Sequence, residues 1–391
     1  MLYPPVDPNE RFRERRAASR RRKRLRRGAL IGALLGAVLL LGVGAQWMGS
    51  GSRSPAALDL STLPAAPRTG PRPLPVELRG VHVTAALTSL PGKLDEYLDL
   101  EREGLTALEV DVKDENGEVG FVPESVPLAV SSGAARDYYS PRALARRVHD
   151  RDLYLIGRIV AFEDPVLSRA RPDLAIRRSD GSVWRDSAGL GWTNPYDKRV
   201  WDYNVALAIA AARAGFDEIM FDYVRFPSDG DVESAVYRNP TGLRKRDAIP
   251  AFLRYASRRL RPYDVRVGAA VFGLSAARDL GIGQVPRLLA PHVDTIYAMT
   301  YPSLFGEGEL GVADPGSTPG ETVLRALKRF QGQLRGTDAL LVPWVQDFSF
   351  TTPYDLEKVQ AQVVAARSLG AKGYLLWNPE GLYTDGALAA P

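Results

Sequence analysis

From residue 78 onward, short apolar runs alternate with segments of helical periodicity. Eight runs have the length and Val/Ile/Leu/aromatic content of strands buried on both faces: 79–84, 107–112, 154–160, 218–223, 265–272, 295–300, 340–345 and 373–377. Between them the spacing predicts helices at 93–103, 141–151, 201–214, 249–260, 283–290, 321–334 and 356–369. Pro141 and Pro250 stand near helix starts, and Gly104, Gly215 and Gly370 near helix ends. Eight strand–helix units in residues 78–391 predict an α/β fold, a (β/α)8 TIM barrel with insertions. The competing doubly wound sheet lacks its mark, because no glycine-rich phosphate turn follows an early strand. Pro343, inside the seventh strand, predicts a bulge or an irregular strand end there.

The first 77 residues follow a different pattern. Residues 28–48 are an almost unbroken apolar stretch of bilayer-spanning length, with Gln46 its only strongly polar residue. Residues 11–27 carry eleven arginines and lysines against the single acid Glu14. That flank predicts a cytoplasmic tail at 1–27, a single transmembrane helix at 28–48 and an extracytoplasmic C-terminal domain. A cleaved signal peptide, with Val43-Gly44-Ala45 as the small-residue site, is the alternative and would give a secreted protein. Residues 49–77 contain six prolines among Ser, Gly and Ala, the composition of an extended spacer. The net charge of +5 therefore belongs to the tail, and the globular part is slightly acidic. Nucleic-acid binding by the arginines is disfavoured by their juxtamembrane position.

Long segments follow the second, third, fourth and sixth strands, whereas helix-to-strand returns are short. In a barrel those long loops gather at the C-terminal face, where chemistry occurs. The chain centres on Asp222, which ends the buried run Ile219-Met220-Phe221 and is followed by Tyr223, Arg225 and Pro227. A carboxylate so placed reads as catalytic, and a structural Asp222–Arg225 ion pair is the simpler alternative. Other strand ends supply His82, Asp111, Lys113, Arg158, Asp164, Tyr301, Gln346, Asp347, Asn378 and Glu380.

Aromatic residues fall in the same places: Trp184 and Trp192 in the third loop, Trp344 and Trp377 ending strands, with Tyr223 and Tyr301 nearby. Flat rings beside carboxylates and amides suit a sugar, although tryptophans also fill barrels and clamp loops. Glycoside hydrolysis needs two carboxyl groups. Asp222 is the candidate nucleophile or base, with Arg225 and Lys113 as candidate counter-charges. Asp347 and Glu380 are the candidate acids, and Asp111 and Asp164 are alternatives. The absence of cysteine excludes thiolate chemistry, and three histidines argue against a multi-histidine metal site, so no metal or organic cofactor is expected.

Several motifs in order resemble one known family. They are Gly80-Val81-His82, residues 158–165 (RIVAFEDP), Trp192-Thr193-Asn194-Pro195-Tyr196, Trp201-Asp202-Tyr203-Asn204, residues 221–227 (FDYVRFP), Tyr301-Pro302-Ser303, residues 344–348 (WVQDF) and residues 373–378 (GYLLWN). Over residues 78–385 the chain resembles the "putative glycosyl hydrolase" domain of bacterial envelope proteins, itself similar in outline to α-amylase-type barrels. The resemblance implies a TIM barrel acting on polysaccharide, with Asp222 as nucleophile and Asn194 among the substrate-binding residues. One departure is Ala270, where the family's fifth-strand motif usually carries an acid before Val/Ile-Phe-Gly. The expectation is thus an envelope-anchored glycoside hydrolase acting on a polysaccharide or envelope glycan. Its alternatives are a carbohydrate-binding barrel without catalysis, and a structural envelope protein in which Trp344 and Trp377 are packing residues.

Overall fold

The computed structural model describes residues 71–350 and 352–389. The predicted tail, transmembrane segment and most of the spacer lie outside the described residues. No helix among those described is long and apolar enough to cross a membrane.

Eight parallel strands close into a barrel in sequence order, β1 pairing with β8. They are β1 (Leu78–Val83), β2 (Ala107–Lys113), β3 (Tyr154–Val160), β4 (Glu218–Asp222), β5 (Arg266–Phe272), β6 (Thr295–Met299), β7 (Leu340–Gln346) and β8 (Gly373–Trp377). The connections carry α1 (Lys93–Asp99), α2 (Pro141–His149), α3 (Lys198–Ala214), α4 (Lys245–Leu260), α5 (Pro286–Leu289), α6 (Pro319–Leu334) and α7 (Leu356–Ser368), with further short helices at Ala85–Thr88, Pro127–Ser131 and Pro165–Ala170. No helix follows β8 among the described residues.

Alternation along the strands divides the apolar residues into two cores. Val81, Leu108, Val110, Leu155, Ile219 and Phe221 face the helices, while Leu78, Ala107, Ile156, Met220, Tyr297, Val342 and Leu375 fill the barrel. Large rings fit inside because small residues face them: a Cβ on Gly268 would lie 2.5 Å from the Tyr297 ring. Helix α3 shows how the polar ends are resolved. Its N-cap Asp197 accepts from the Arg199 N–H, and Gly215 closes it at φ 115°.

Pro343 stays within β7, and the β6–β7 register runs through it without a shift. Leu341 O accepts from Lys372 on the β8 side and Trp344 O from Thr300 on the β6 side, so alternation turns proline's missing donor toward β8. The β7–β8 ladder begins only after Pro343, at Trp344, and the register slip itself lies in β2, between Asp111 and Lys113. Asp111 pairs with the inward Arg158, and Lys113 with the outward Ile159. The bulge thus turns Lys113 out of the barrel.

Candidate active site

The C-terminal mouth is built around Arg158, 2% exposed and projecting inward from β3. Its Nε donates to Asp222 Oδ2 at 2.9 Å, with Nη2 ion-paired to the same oxygen at 2.7 Å, and its Nη1 donates to Asp111 Oδ1 at 2.7 Å. Glu115 Oε2 lies 3.5 Å from Nη1 and Glu109 Oε1 4.0 Å from Nε. Burial opposes the guanidinium's charge, but Asp222, Asp111, Glu115 and Glu109 together hold it well above its usual range. His82 Nε2 lies 3.1 Å from the same Asp111 oxygen, which makes a buried chain of His82, Asp111, Arg158 and Asp222. The second Asp222 oxygen accepts from the Tyr223 N–H at 2.7 Å. Tyr223 reaches that position at φ 47°, a left-handed conformation that side chains of this size rarely adopt.

Glu109 lies one inward position before Asp111 on β2, one layer below the guanidinium. It is fully buried, and desolvation, opposed by Arg158 and aided by Asp111 and Asp222, pushes its carboxyl well above the usual range. The motif reading omitted it. Its signal was present as the alternation Ala107, Glu109, Asp111 against Leu108, Val110, Val112.

The counter-charges expected for Asp222 are elsewhere. Lys113 donates to Asp164 Oδ2 at 2.7 Å in the outer layer, so Arg158 takes its place as partner. Arg225 is likewise not paired with Asp222: its Nη1 donates to Phe226 O and Ser228 Oγ. Asp164 also caps the turn of helix Pro165–Ala170 through the Leu167 N–H.

On the far side of the mouth, Asp347 follows β7 and accepts from the Thr384 N–H at 2.8 Å and hydroxyl at 2.6 Å. Burial outweighs those hydrogen bonds and raises its carboxyl. Asn378 donates to Asp347 O and accepts from the N–H of Glu380, whose side chain is exposed. Gln346 accepts from Ser303 N and donates to Phe348 O, tying the β6 and β7 loops together. Asn194 braces the third loop between Tyr196 N and Arg238 O.

Trp344 and Trp377 are 1% and 6% exposed and stack on each other at 4.9 Å, with His82 and Tyr301 beside them. They form the barrel's top aromatic layer beneath Arg158, which lies 5.5 Å over Trp377. Trp184, Trp192 and Trp201 brace loops through Nε1 bonds to Asp231, Asp186 and Pro195. Tyr223, Phe272 and Phe348 are half-buried. Ala270 points into the barrel, fully buried. Among the described residues no group of three or more His, Asp or Glu side chains is arranged to hold a metal ion.

Residues 80–383 match a protein family described as "Putative glycosyl hydrolase domain". Among solved structures, a hypothetical protein from Ruminiclostridium thermocellum is 36% identical, with 48% of this chain and 96% of that one covered and a TM-score of 0.45. The PgaB (BpsB) glycoside hydrolase domain from Bordetella bronchiseptica is similar at 15% identity and TM-score 0.58, covering 78% of this chain and 95% of that one. The catalytic domain of β-amylase from Paenibacillus polymyxa matches at 12% identity and TM-score 0.50, with 81% and 98% covered. No curated protein matches the chain.

Proposed function

The chain belongs to the family described as "Putative glycosyl hydrolase domain", matched over residues 80–383, and from that premise we propose that it hydrolyses glycosidic bonds in an extracytoplasmic polysaccharide or envelope glycan. The observation that carries this reading is the Asp222 carboxylate, fixed by Arg158 and the Tyr223 N–H at the mouth of a closed barrel. Catalysis of this type needs a carboxylate at the sugar carbon and a protonated carboxyl at the leaving oxygen. Asp222 takes the first role as nucleophile or base, and Arg158 orients it. Asp347 takes the second, because burial favours its protonated form and it stands on the rim across from β4. Glu109 shares the raised carboxyl but lies a layer deeper, beneath the guanidinium. Glu380, exposed on the β8 loop, is a weaker candidate acid. Anchoring by the 28–48 segment would present the barrel outside the membrane.

Release of reducing ends from a panel of envelope and storage glycans tests the reading. Asp222→Asn is expected to abolish release, and Asp347→Asn to slow it by about 10²–10⁴-fold. The native rate should also fall as pH rises through the raised Asp347 pKa, and that limb should be absent in Asp347→Asn. Ala270 supports a second reading, a barrel that binds glycan without cleaving it. Glycan binding by native and Asp222→Asn chains alike, with no product from either, would establish that instead.

A further inference from the structure

Two arginines are buried at this mouth, and their surroundings are opposite. Arg158 is surrounded by carboxylates. Arg225 is 1% exposed and makes no ion pair among the described residues; its Nη1 donates to Phe226 O and Ser228 Oγ, both at 3.1 Å. Its Nε and Nη2 have no hydrogen-bond acceptor among the described residues. Three rings cover it, with Trp192, Tyr223 and Phe272 centred 4.9, 5.1 and 4.6 Å from the guanidinium carbon. Their π faces offset part of the cost of burying the charge, but they accept none of the in-plane hydrogen bonds.

The two unpartnered nitrogens form one edge. Nε–H and Nη2–H project side by side, as the fork with which an arginine grips an oxyanion. Arg158 directs the same pair of nitrogens at Asp222. In Arg225 that fork is built, desolvated and without an acceptor among the described residues. Its position is also defined. Tyr223, whose ring lies against Arg225, gives its N–H to Asp222, and Tyr223 and Phe272 are the half-buried members of the cage.

We propose that the Arg225 fork is an anionic subsite beside Asp222 that takes a sugar carboxylate, so that the glycan bound here is a uronic-acid-type acidic saccharide. The proposal rests on the hydrolase reading only for the presence of a glycan at this mouth. A neutral sugar would offer hydroxyls to the fork and leave the charge uncompensated, whereas a carboxylate satisfies both donors and the charge together. Entry requires the Tyr223 or Phe272 ring to turn aside and yield its place over the guanidinium.

The test uses the full chain carrying Asp222→Asn, so that bound glycan is not consumed. Binding is measured by calorimetry for uronate oligosaccharides, neutral oligosaccharides of equal length, and sulfated and phosphorylated counterparts. Uronates are expected to bind about tenfold or more tightly than the neutral set, and the preference should shrink with added salt. Arg225→Lys, which keeps the charge but lacks the fork, should lose most of that preference, and Arg225→Met all of it. Equal binding of acidic and neutral sets, or a preference that survives Arg225→Met, would overturn the proposal. A preference for sulfate or phosphate esters would overturn the carboxylate assignment. If Arg225→Met does not fold, the Lys variant and the salt titration decide. Uronate binding through Arg225 without hydrolysis by the native chain would remove the hydrolase reading and keep the subsite. Hydrolysis of neutral glycans with no acidic preference would do the reverse.

Discussion

Glu109 is the residue whose protonation most affects the balance of charge at the mouth. Arg158 faces Asp111, Asp222 and Glu115, and a fourth anion beneath it would compete for the same guanidinium. Desolvation keeps Glu109 toward its neutral form, which leaves Arg158 to orient the carboxylates above. Glu109→Gln reproduces that neutral side chain in shape and charge. It should therefore hold the fold to within about 1 kcal/mol and retain hydrolysis, as measured by thermal melting and reducing-end assay. If Glu109→Gln lost activity as completely as Asp222→Asn, Glu109 itself would be the proton donor and Asp347 would not. Asp222 was legible in the sequence because it ends an apolar run, and Arg158 because it opens the motif at residues 158–165. Glu109 was not read, because it sits mid-strand, where only two-residue alternation marks it as inward. The Arg158–Asp222 contact is invisible in sequence, being set by the register of β3 against β4.

At the scale of elements, all eight strands were legible, and their ends fell within a residue or two of those expected. Two-sided burial makes such strands continuous apolar runs, and among the helices between them α3 and α7 carry side-chain N-caps, Asp197 and Asp355. The bulge in β2 was not legible, since strict alternation places Lys113 on the inner face with Glu109 and Asp111. The slip sends it into the outer layer, where it is 1% exposed and pairs with Asp164, which is fully buried. Desolvation lowers the Lys113 pKa despite that carboxylate, so the pair depends on close contact. Lys113→Met removes one charge and leaves the other uncompensated. It should cost about 3–5 kcal/mol in chemical denaturation. The double variant Lys113→Met/Asp164→Leu should recover part of this, short of the whole, because Asp164 also caps the Leu167 N–H. Equal losses in the single and double variants would show that the cap and the packing matter and the charge pair does not.

For the whole molecule, closing eight strands fills the barrel with an unusual polar column. The acids at the mouth stand above Tyr297, and beneath them Glu218 lies at the start of β4. Glu218 is fully buried and accepts from the Tyr154 hydroxyl at 3.1 Å. Desolvation outweighs its hydroxyl neighbours Thr295, Tyr297 and Tyr154 and lifts its pKa to about 7. A carboxyl raised in the folded state keeps its proton better folded than unfolded. Its stabilising contribution is thus complete below the unfolded value near 4.5, and it is lost as pH rises through about 7. A shift of that size corresponds to roughly 3 kcal/mol across the window. Glu218→Gln cannot ionise, so its melting temperature should track the native chain near pH 4.5 and exceed it increasingly up to pH about 7.5. Parallel melting curves across that range would mean that water or a shift of the barrel floor solvates Glu218.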